Sequence, residues 1–422
     1  MINLLTTRNV YDVIIIGGGI AGAGIARDAS LRGLGVLLLE KNELGSGTSS
    51  RSSRLIHGGI RYLEIALQAL LEGDWKGFQK NWHFVFASLR ECRILERIAH
   101  REVRPLPLMI PFYRGRGRGR FQMILGAWMY YLLALFSGGG RMPRICWSAE
   151  AVLKTVPGLR REGLTGGILI WDRSTNDRQL VVAVAEDARH RGATVLEHMD
   201  VVQYRWDASS ATYRVSAKDR SGKHHDFTGR TVVNASGPWL DRVRTDAGEF
   251  NRPYLTPVAG AHLTFQKFTP CSVILQAEDK RIFFCVDTGD FTRVGTTERP
   301  FTNPDTVDAS TEDVQYLLES LNYYFPSLHA EEKDIVSMDA GIRPLAHEES
   351  LDRNPTRISR EHTILRGPSG AFHVIGVKLT DHRRAAEDVV DQIWPEIQEF
   401  HPKRRVRSRT ARTPLYAQSK DR

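Results

Sequence analysis

A glycine-rich turn between two apolar segments, near the start of the chain, constrains the fold most. Residues 13–16 form an apolar run with the length and β-branching of a buried strand. The pattern Gly17-x-Gly19-x-x-Gly22 follows at once, and a small-residue segment that favours a helix comes next. A second apolar strand then ends at Glu40. This order of elements predicts a βαβ unit with a parallel pair of strands.

Each residue of this pattern has a role in binding a dinucleotide. Gly17 permits the tight turn, Gly19 lets the backbone approach a pyrophosphate, and Gly22 lets the helix pack closely against the strand. The pyrophosphate would lie at the helix N-terminus, where free N–H groups and the helix dipole favour an anion. Glu40 would accept hydrogen bonds from a ribose hydroxyl. The pattern therefore predicts a Rossmann-type domain, and by itself it does not distinguish FAD from NAD.

The next informative segment, residues 45–63, is rich in glycine and small hydroxyl residues. Such a backbone can lie flat against a ligand, with N–H and hydroxyl groups directed inward. Arg51, Arg54, Arg61 and His57 add hydrogen-bond donors and positive charge. A flexible linker is the alternative. We favour a ligand site, because an ordered-looking sequence with apolar residues follows the hydroxyl residues immediately.

These segments closely resemble the FAD-dependent glycerol-3-phosphate dehydrogenases and oxidases, which are D-amino-acid-oxidase-like flavoproteins. The resemblance covers roughly residues 10–395. Its most specific motifs are the segment 45–63 and Gly-Ile-Arg-Pro-Leu at 341–345. Further motifs, in the family's order, lie at 103–108, 171–177, 232–239, 295–297, 359–362 and 376–380. The resemblance implies FAD as cofactor, oxidation of sn-glycerol 3-phosphate to dihydroxyacetone phosphate by hydride transfer to flavin N5, and quinone as the electron acceptor.

The resemblance also implies which residues contact FAD, because each has a counterpart in one of the family's motifs. They are Gly17, Gly19, Gly22, Glu40, Lys41, Thr48, Ser49, Ser50, Ser53, Leu55, His57, Gly58, Gly59, Ala235, Gly237, Lys378, Leu379 and Thr380.

A phosphorylated polyol substrate needs a cationic clamp, and arginine suits phosphate because its planar fork makes paired, charge-assisted hydrogen bonds. By the resemblance, Arg61 and Arg360 would hold the phosphate. Arg343 would lie nearer the substrate hydroxyl and the flavin. Lys378 would face the pyrimidine edge of the flavin, where a cation stabilises the reduced anion.

Two histidines are candidates for the group that accepts the hydroxyl proton. His57 and His262 both match family histidines, and imidazole titrates near neutrality. The catalytic residues that we expect are therefore Arg343, Lys378 and one or both of these histidines. The remaining histidines show no metal-ligand spacing with acids, and the four cysteines form no Cys-x-x-Cys pattern. We expect no metal site and a reducing compartment.

Departures from the family pattern keep two alternatives open. Val377, Asp381 and His382 stand where the family usually has Gly, Thr and Tyr. The chain could be an oxidoreductase of the same fold that acts on another hydroxy or amino acid, or a non-catalytic flavin-binding protein at the membrane. The resemblance is to a short form that lacks the C-terminal helical domain of longer members.

The chain of 422 residues is long enough for two interleaved domains. The fold class that we predict is α/β, with a Rossmann-type FAD-binding domain and an antiparallel-sheet substrate domain. Helical patterns occupy about 64–100, 180–191 and 311–324. The FAD-binding domain is assigned to 1–90, 160–245 and 345–400, the substrate domain to 91–159 and 246–344, and a basic, flexible tail to 401–422.

The net charge of +9 and one basic–apolar segment suggest where the protein acts. Four arginines at 114–120 precede the apolar stretch 121–136, which is shorter than the ~20 residues needed to cross a bilayer. A buried helix and a membrane-surface helix both fit it, and the resemblance favours the second. We expect a cytoplasmic protein on the inner face of the cytoplasmic membrane, without a secretory signal. A homodimer is compatible with the sequence, and no stacking module for nucleic acid accompanies the charge.

Overall fold

Two β-sheets organise the part of the chain that the computed structural model describes, which is residues 10–116, 119–301, 303–347, 362–401 and 406–416, without the side chain of Arg61. The strands are β1 (Tyr11–Ile16), β2 (Val36–Leu39), β3 (Leu55–Ile56), β4 (Val103–Tyr113), β5 (Arg144–Cys146), β6 (Leu164–Thr175), β7 (Thr194–Leu196), β8 (Asp200–Asp207), β9 (Thr212–Lys218), β10 (His224–Asn234), β11 (Leu255–Gln266), β12 (Ser272–Gln276), β13 (Ile282–Asp287), β14 (Phe291–Gly295), β15 (Arg299–Pro300), β16 (Ile335–Ala346), β17 (Thr363–Arg366) and β18 (Phe372–Ile375). The α-helices are α1 (Ile20–Leu31), α2 (Ile60–Leu71), α3 (Trp75–Ile98), α4 (Arg120–Phe136), α5 (Ala149–Thr155), α6 (Asp177–His190), α7 (Leu240–Asp246), α8 (Thr311–Tyr324) and α9 (His382–Ile397).

The first sheet has the order β17-β18-β10-β1-β2-β7, and β8 and β9 extend it beside β10. β1 pairs in parallel with β2 and with β10. Every residue of β1 and β2 is buried, as in parallel sheets that are covered on both faces. Helices α1, α6 and α9 contribute to the core against this sheet. The expected Rossmann-type unit is confirmed.

The second sheet has the order β15-β11-β14-β13-β12-β4-β6-β3, with β16 beside β11 and β5 beside β6. Most of its pairs are antiparallel, as expected for the substrate domain, and β12 pairs with β4 in parallel. The predicted boundary at residue 160 differs from this arrangement. β6 pairs with β4 along almost its whole length, and β3 pairs with β6, so both strands belong to the second sheet.

Helices α2, α3 and α4 pack together around a small apolar core that includes Leu63, Val85 and Tyr130. The single helical stretch predicted over 64–100 is two helices, because the chain turns at Gly73 (φ +77°) and Asp74 then caps α3. The pattern over 311–324 coincides with α8, which Ser310 caps.

The apolar stretch 121–136 forms α4, and only one side of this helix is buried. Tyr130 and Leu133 face the core, whereas Phe121 is 82% and Phe136 is 78% exposed. Within the described ranges, none of the helices has both the length and the apolarity needed to cross a bilayer.

The prediction of a flexible tail over 401–422 is wrong for residues 406–416. Leu415 is buried, and its backbone N–H donates to the carbonyl of Ile98. Arg27 donates to the carbonyl of Thr413, and Thr410 is buried beside Arg383. The segment packs on α1 and α9, whose buried Arg27 and Arg383 use its oxygen atoms as acceptors, and on the end of α3, whose Ile98 carbonyl accepts its Leu415 N–H.

Candidate cofactor and substrate site

The glycine pattern has the backbone geometry that close approach requires. Gly17 has a φ of +105°, and a Cβ there would come within 2.7 Å of the carbonyl oxygen of Ala235. A Cβ on Gly22 would lie 1.9 Å from the carbonyl oxygen of Gly17. Gly19 is the N-cap of α1. The N–H of Ile20, in the first turn of this helix, donates to Ser49 Oγ at 3.1 Å. No side chain larger than hydrogen fits at Gly17 or at Gly22.

Glu40 closes the turn from the end of β2. Its carboxylate accepts the N–H of Gly18 at 2.6 Å and the N–H of Asn42 at 2.8 Å. Burial raises the pKa of the Glu40 carboxyl, and these two bonds act against that rise. A carboxylate fixed in this way at the end of β2 keeps acceptor capacity for a ribose hydroxyl.

A cleft of about 600 Å³ opens at the carboxyl ends of β1 and β2. The predicted cofactor residues that line it are Gly17, Gly19, Glu40, Lys41, Thr48, Ser49, Ala235 and Gly237. The volume lies in the range of cofactor pockets. Close backbone approach, a helix N-terminus and a buried acid together fit the pyrophosphate and ribose of a dinucleotide. Ser50 belongs to the same turn, and its hydroxyl donates to the carbonyl of Gly47 at 3.1 Å.

A second group of predicted cofactor residues lies around the turn after β3. His57 N–H donates to Thr380 Oγ1 at 3.2 Å, so the segment 378–380 meets this turn. Gly58 N–H donates to Tyr130 Oη at 2.9 Å, and Gly59 takes a φ of +75° as the N-cap of α2. Leu55 and Leu379 are buried.

The substitutions relative to the family pattern fit without backbone strain at Val377. The positive φ, +73°, belongs to Gly376, and Val377 packs against the core of the first sheet. His382 is buried against Gly24 of α1, and its ring Nδ1 hydrogen-bonds to the carbonyl of Leu379 at 2.7 Å. Burial lowers the pKa of His382 to about 4. Asp381 is partly buried and accepts a hydrogen bond from the Ser88 hydroxyl at 3.2 Å.

His262 of β11 connects the second sheet to residues 45–53, the serine-rich loop. Its Nε2 lies 2.9 Å from Ser53 Oγ. The imidazole is fully enclosed, and burial, followed by the charges of Arg293, Arg343 and Arg54, lowers its pKa well below the ordinary value. His262 is therefore neutral at physiological pH.

Arg343 of β16 lies on the strand that pairs with β11. Its guanidinium donates to Glu298 Oε1 at 2.9 Å and to Thr296 Oγ1 at 3.0 Å. Its side chain is about a quarter exposed. Two donors that are fixed by a carboxylate and a hydroxyl hold the planar group in one orientation.

The remaining predicted residues are placed only in part. Lys378 Nζ lies 4.3 Å from the ring centroid of Phe84 and 5.1 Å from that of Tyr62. Arg61 is the second residue of α2, and its side chain is outside the described atoms. Arg360 lies outside the described residues.

Sequence reasoning missed several residues at this site. Glu298 follows the Gly-Thr-Thr motif at 295–297, and that position could have identified it. Tyr130 and Asp172 form a buried pair behind Gly58: the Tyr130 hydroxyl donates to Asp172 at 2.9 Å. Asp305 reaches the cleft from the segment between β15 and α8, and no sequence signal marks it.

The comparisons with known proteins agree with this geometry. Residues 12–378 match the family model described as FAD dependent oxidoreductase. The chain is 34% identical over 387 residues to an aerobic glycerol-3-phosphate dehydrogenase of Staphylococcus saprophyticus, covering 90% of this chain and 66% of that protein. It is 32% identical over 411 residues to the enzyme of the same name from Staphylococcus haemolyticus, covering 96% and 71%.

A solved structure is similar as well. The glycerol-3-phosphate dehydrogenase from Bacillus halodurans complexed with FAD aligns with a TM-score of 0.72 at 28% identity, over 93% of this chain and 66% of that one. This chain therefore spans about two thirds of the length of these relatives. The family match covers both sheets and the whole glycine pattern, and the chain belongs to the FAD dependent oxidoreductases, with FAD as its cofactor.

Proposed function

We propose that this protein oxidises sn-glycerol 3-phosphate to dihydroxyacetone phosphate. One arrangement supports the proposal most: a neutral, buried His262 and a charged, oriented Arg343 lie on the paired strands β11 and β16. The hydrogen bond between His262 and Ser53 joins β11 to the loop that lines the FAD cleft. The names of the relatives support the same substrate. A proton acceptor and a cation beside a flavin are what oxidation of a secondary alcohol requires.

Each residue of the site has its own role in the proposed oxidation. FAD, when bound, supplies a two-electron acceptor at N5. His262 accepts the proton of the substrate hydroxyl, and Arg343 stabilises the negative charge that develops on that oxygen. Glu298 and Thr296 hold the guanidinium of Arg343 in place. Arg61 and Arg360 bind the phosphate, and Lys378 stabilises the reduced flavin.

His57 has a different role from His262 in this proposal. The N–H of Gly59 donates to His57 Nδ1 at 3.1 Å, so this nitrogen already acts as an acceptor. Neutral His57 then carries its proton on Nε2 and is a donor there. A donor beside the substrate can orient it, whereas the proton acceptor has to be another group.

We also propose that the electrons leave to a quinone and that α4 binds the inner face of the cytoplasmic membrane. The exposed face of α4 carries Phe121, Leu125 and Phe136, and Arg120 begins the helix. An apolar face with a basic end suits an interface that contains anionic lipid. Ile65 and Leu71 of the neighbouring α2 extend the exposed apolar surface.

Anaerobic stopped-flow spectroscopy of the yellow holoprotein tests the substrate. We expect sn-glycerol 3-phosphate to bleach the flavin band rapidly and saturably, and glycerol and glycine to leave it oxidised. Bleaching by glycine or by another amino or hydroxy acid alone would favour a different substrate of the same fold. A flavin that stays oxidised with all of them would favour a flavin-binding protein without turnover.

A further inference from the structure

Two residues that follow strands of the first sheet form the outer end of the FAD cleft. Lys41 follows Glu40 at the end of β2, and Trp239 ends the short 3₁₀ helix after β10. Both line the cleft. The ammonium of Lys41 lies 3.9 Å from the centroid of the Trp239 ring, which is a cation–π contact.

One carboxylate from the other domain bridges this end of the cleft. Asp305 lies between β15 and α8, in a segment that belongs to the second sheet's domain. Its Oδ1 accepts the indole N–H of Trp239 at 2.7 Å and the ammonium of Lys41 at 3.2 Å. Its Oδ2 accepts a guanidinium N–H of Arg242 at 2.8 Å. Both oxygens of Asp305 are therefore used by the domain on the opposite side of the cleft.

The same segment forms part of the cleft wall. Pro304, Asp305 and Val307 all line the cleft, and the carbonyl of Val307 accepts a bond from Arg51 on the serine-rich loop. The backbone N–H of Asp305 donates to Asn303 Oδ1 at 3.0 Å, which fixes the carboxylate relative to its own segment.

Charge keeps this bridge intact over the physiological pH range. Partial burial acts to raise the pKa of Asp305, but hydrogen bonds from Trp239 and Lys41 and the charge of Arg242 outweigh it and hold the pKa below the ordinary value. Because Asp305 and Arg242 are both about half exposed, the ionic contacts are accessible to salt.

We propose that Asp305 is a positioning residue that latches residues 303–308 across the outer end of the FAD cleft, so that the bound dinucleotide leaves only when this contact opens. The inference needs the FAD dependence of the family and not the proposed substrate. An isolated ion pair at a surface contributes little. Here three donors converge on one carboxylate, and Asp305, Lys41 and Trp239 all line the same cleft.

The rate of cofactor exchange tests the latch directly. Holoprotein is mixed with an excess of radiolabelled FAD, and the label that is bound is counted at intervals after filtration. We expect Asp305→Ala to exchange about tenfold faster than the unchanged protein, because all three contacts are lost. Asp305→Asn keeps an acceptor for Trp239 and should exchange about threefold faster.

Salt separates the latch from a general effect on FAD affinity. Raising the NaCl concentration from 50 to 500 mM screens the contacts with Lys41 and Arg242 and should accelerate exchange in the unchanged protein. Asp305→Asn, which has no charge at this position, should lose most of that dependence. Arg242→Gln, which removes a cation outside the Lys41–Trp239 stack, should exchange faster than the unchanged protein and slower than Asp305→Ala.

Asp290→Asn is the matched control, because Asp290 is an exposed aspartate in the turn before β14, on the same sheet. It should exchange FAD at the unchanged rate. Thermal unfolding of the apo and holo forms provides a second readout. The latch is refuted if Asp305→Ala exchanges FAD like Asp290→Asn, whether or not its melting temperature falls. If Asp305→Ala does not fold, the same criteria apply to Asp305→Asn and Arg242→Gln.

Discussion

Ser53 Oγ and His262 Nε2 lie 2.9 Å apart and join the loop of the FAD cleft to strand β11 of the second sheet. His262 Nδ1 is buried and has no hydrogen-bond partner within the described part of the chain. If Nε2 donates to Ser53, Nδ1 retains its lone pair. Proton transfer to Nδ1 of this neutral, oriented ring requires the enclosed nitrogen to become accessible to the substrate hydroxyl.

The pH dependence of catalysis should reflect the charges around His262. Burial and three arginines lower its pKa in the free protein. A bound phosphate dianion would offset the arginine charges and raise that pKa. A base is active above its pKa, so activity is lost as the pH falls through it. We expect the acidic limb of kcat/KM to lie at a lower pH than the acidic limb of kcat.

The variant His262→Gln tests the same role. Glutamine can still hydrogen-bond to Ser53 but cannot take up a proton at neutral pH. We expect the rate constant of flavin reduction to fall roughly 10²–10⁴-fold, with FAD still bound. Stopped-flow measurements from pH 5 to pH 9 provide both results. A near-normal rate in His262→Gln, or the opposite order of the two acidic limbs, would contradict the assignment.

Arg343→Ala should nearly abolish flavin reduction and leave the FAD content unchanged. The guanidinium is held by Glu298 and Thr296 and is the donor that we assign to the developing oxyanion. Loss of such a donor typically costs 10²–10³-fold in rate. Arg144→Ala is the control, because Arg144 is an exposed arginine of β5 on the same sheet. An active, normally flavinylated Arg343→Ala protein would exclude this role.

The glycine turn in the cofactor half of the site could be predicted from the sequence. Gly22 is required by its contact with the carbonyl of Gly17 in the same βαβ unit, so a local pattern contains that signal. The atoms that exclude a side chain at Gly17 belong to Ala235 and Ser236, which follow β10. The second half depends on distant pairing. Glu298 reaches Arg343 only because β16 pairs with β11. The predicted domain boundary at residue 160 places β6 in the FAD-binding domain, whereas β6 pairs with β4 of the second sheet, because the periodicity of a strand does not encode its partners. Val377 replaces a glycine of the family pattern without strain because the neighbouring Gly376 takes the positive φ.

The exposed face of α4 predicts binding to lipid vesicles. Phe121 and Leu125 are exposed apolar residues near the basic end of the helix. The double variant Phe121→Asp, Leu125→Asp should reduce cosedimentation with vesicles that contain anionic lipid by at least about tenfold, because it removes apolar contact and adds repulsion. Trp206→Ser, at an exposed aromatic residue of β8 in the first sheet, is the control and should bind normally. Unchanged binding of the double variant would exclude α4 as the contact.

A buried ion pair between α3 and α9 should contribute strongly to stability. Arg383 donates two hydrogen bonds to Glu91, at 2.6 and 2.7 Å, and both side chains are buried. Breaking a buried pair costs about 3–5 kcal/mol when the other charge is left without compensation. Glu387 also pairs with Arg383, at 2.7 Å, and lowers the cost here to about 2–3 kcal/mol. We expect this loss in the free energy of unfolding of Glu91→Gln, measured by urea denaturation. Arg366→Ala, which removes a largely exposed partner of Glu396, should cost less than about 1 kcal/mol.

Asp172 should make the stability of the protein depend on pH. Burial raises its pKa from 3.8 to about 7, although Arg173 and hydrogen bonds from Tyr130 and Gly58 act in the opposite direction. The folded state therefore keeps a proton that the unfolded state releases above about pH 4. Stability is then present at low pH and is lost as the pH rises through this range. At 1.36 kcal/mol per unit, the loss by pH 8 is on the order of 4 kcal/mol.

The variant Asp172→Asn isolates this contribution because asparagine has the shape of the protonated acid and stays neutral. Its side-chain oxygen can accept the same bonds from Tyr130 and Gly58. The difference in unfolding free energy between Asp172→Asn and the unchanged protein should shift in favour of the variant between pH 5 and pH 8, as measured by urea denaturation. Other titrating groups cancel in this difference. If the difference is the same at both pH values, Asp172 is already ionised in the folded protein at pH 5, and the pair with Tyr130 is a charged one.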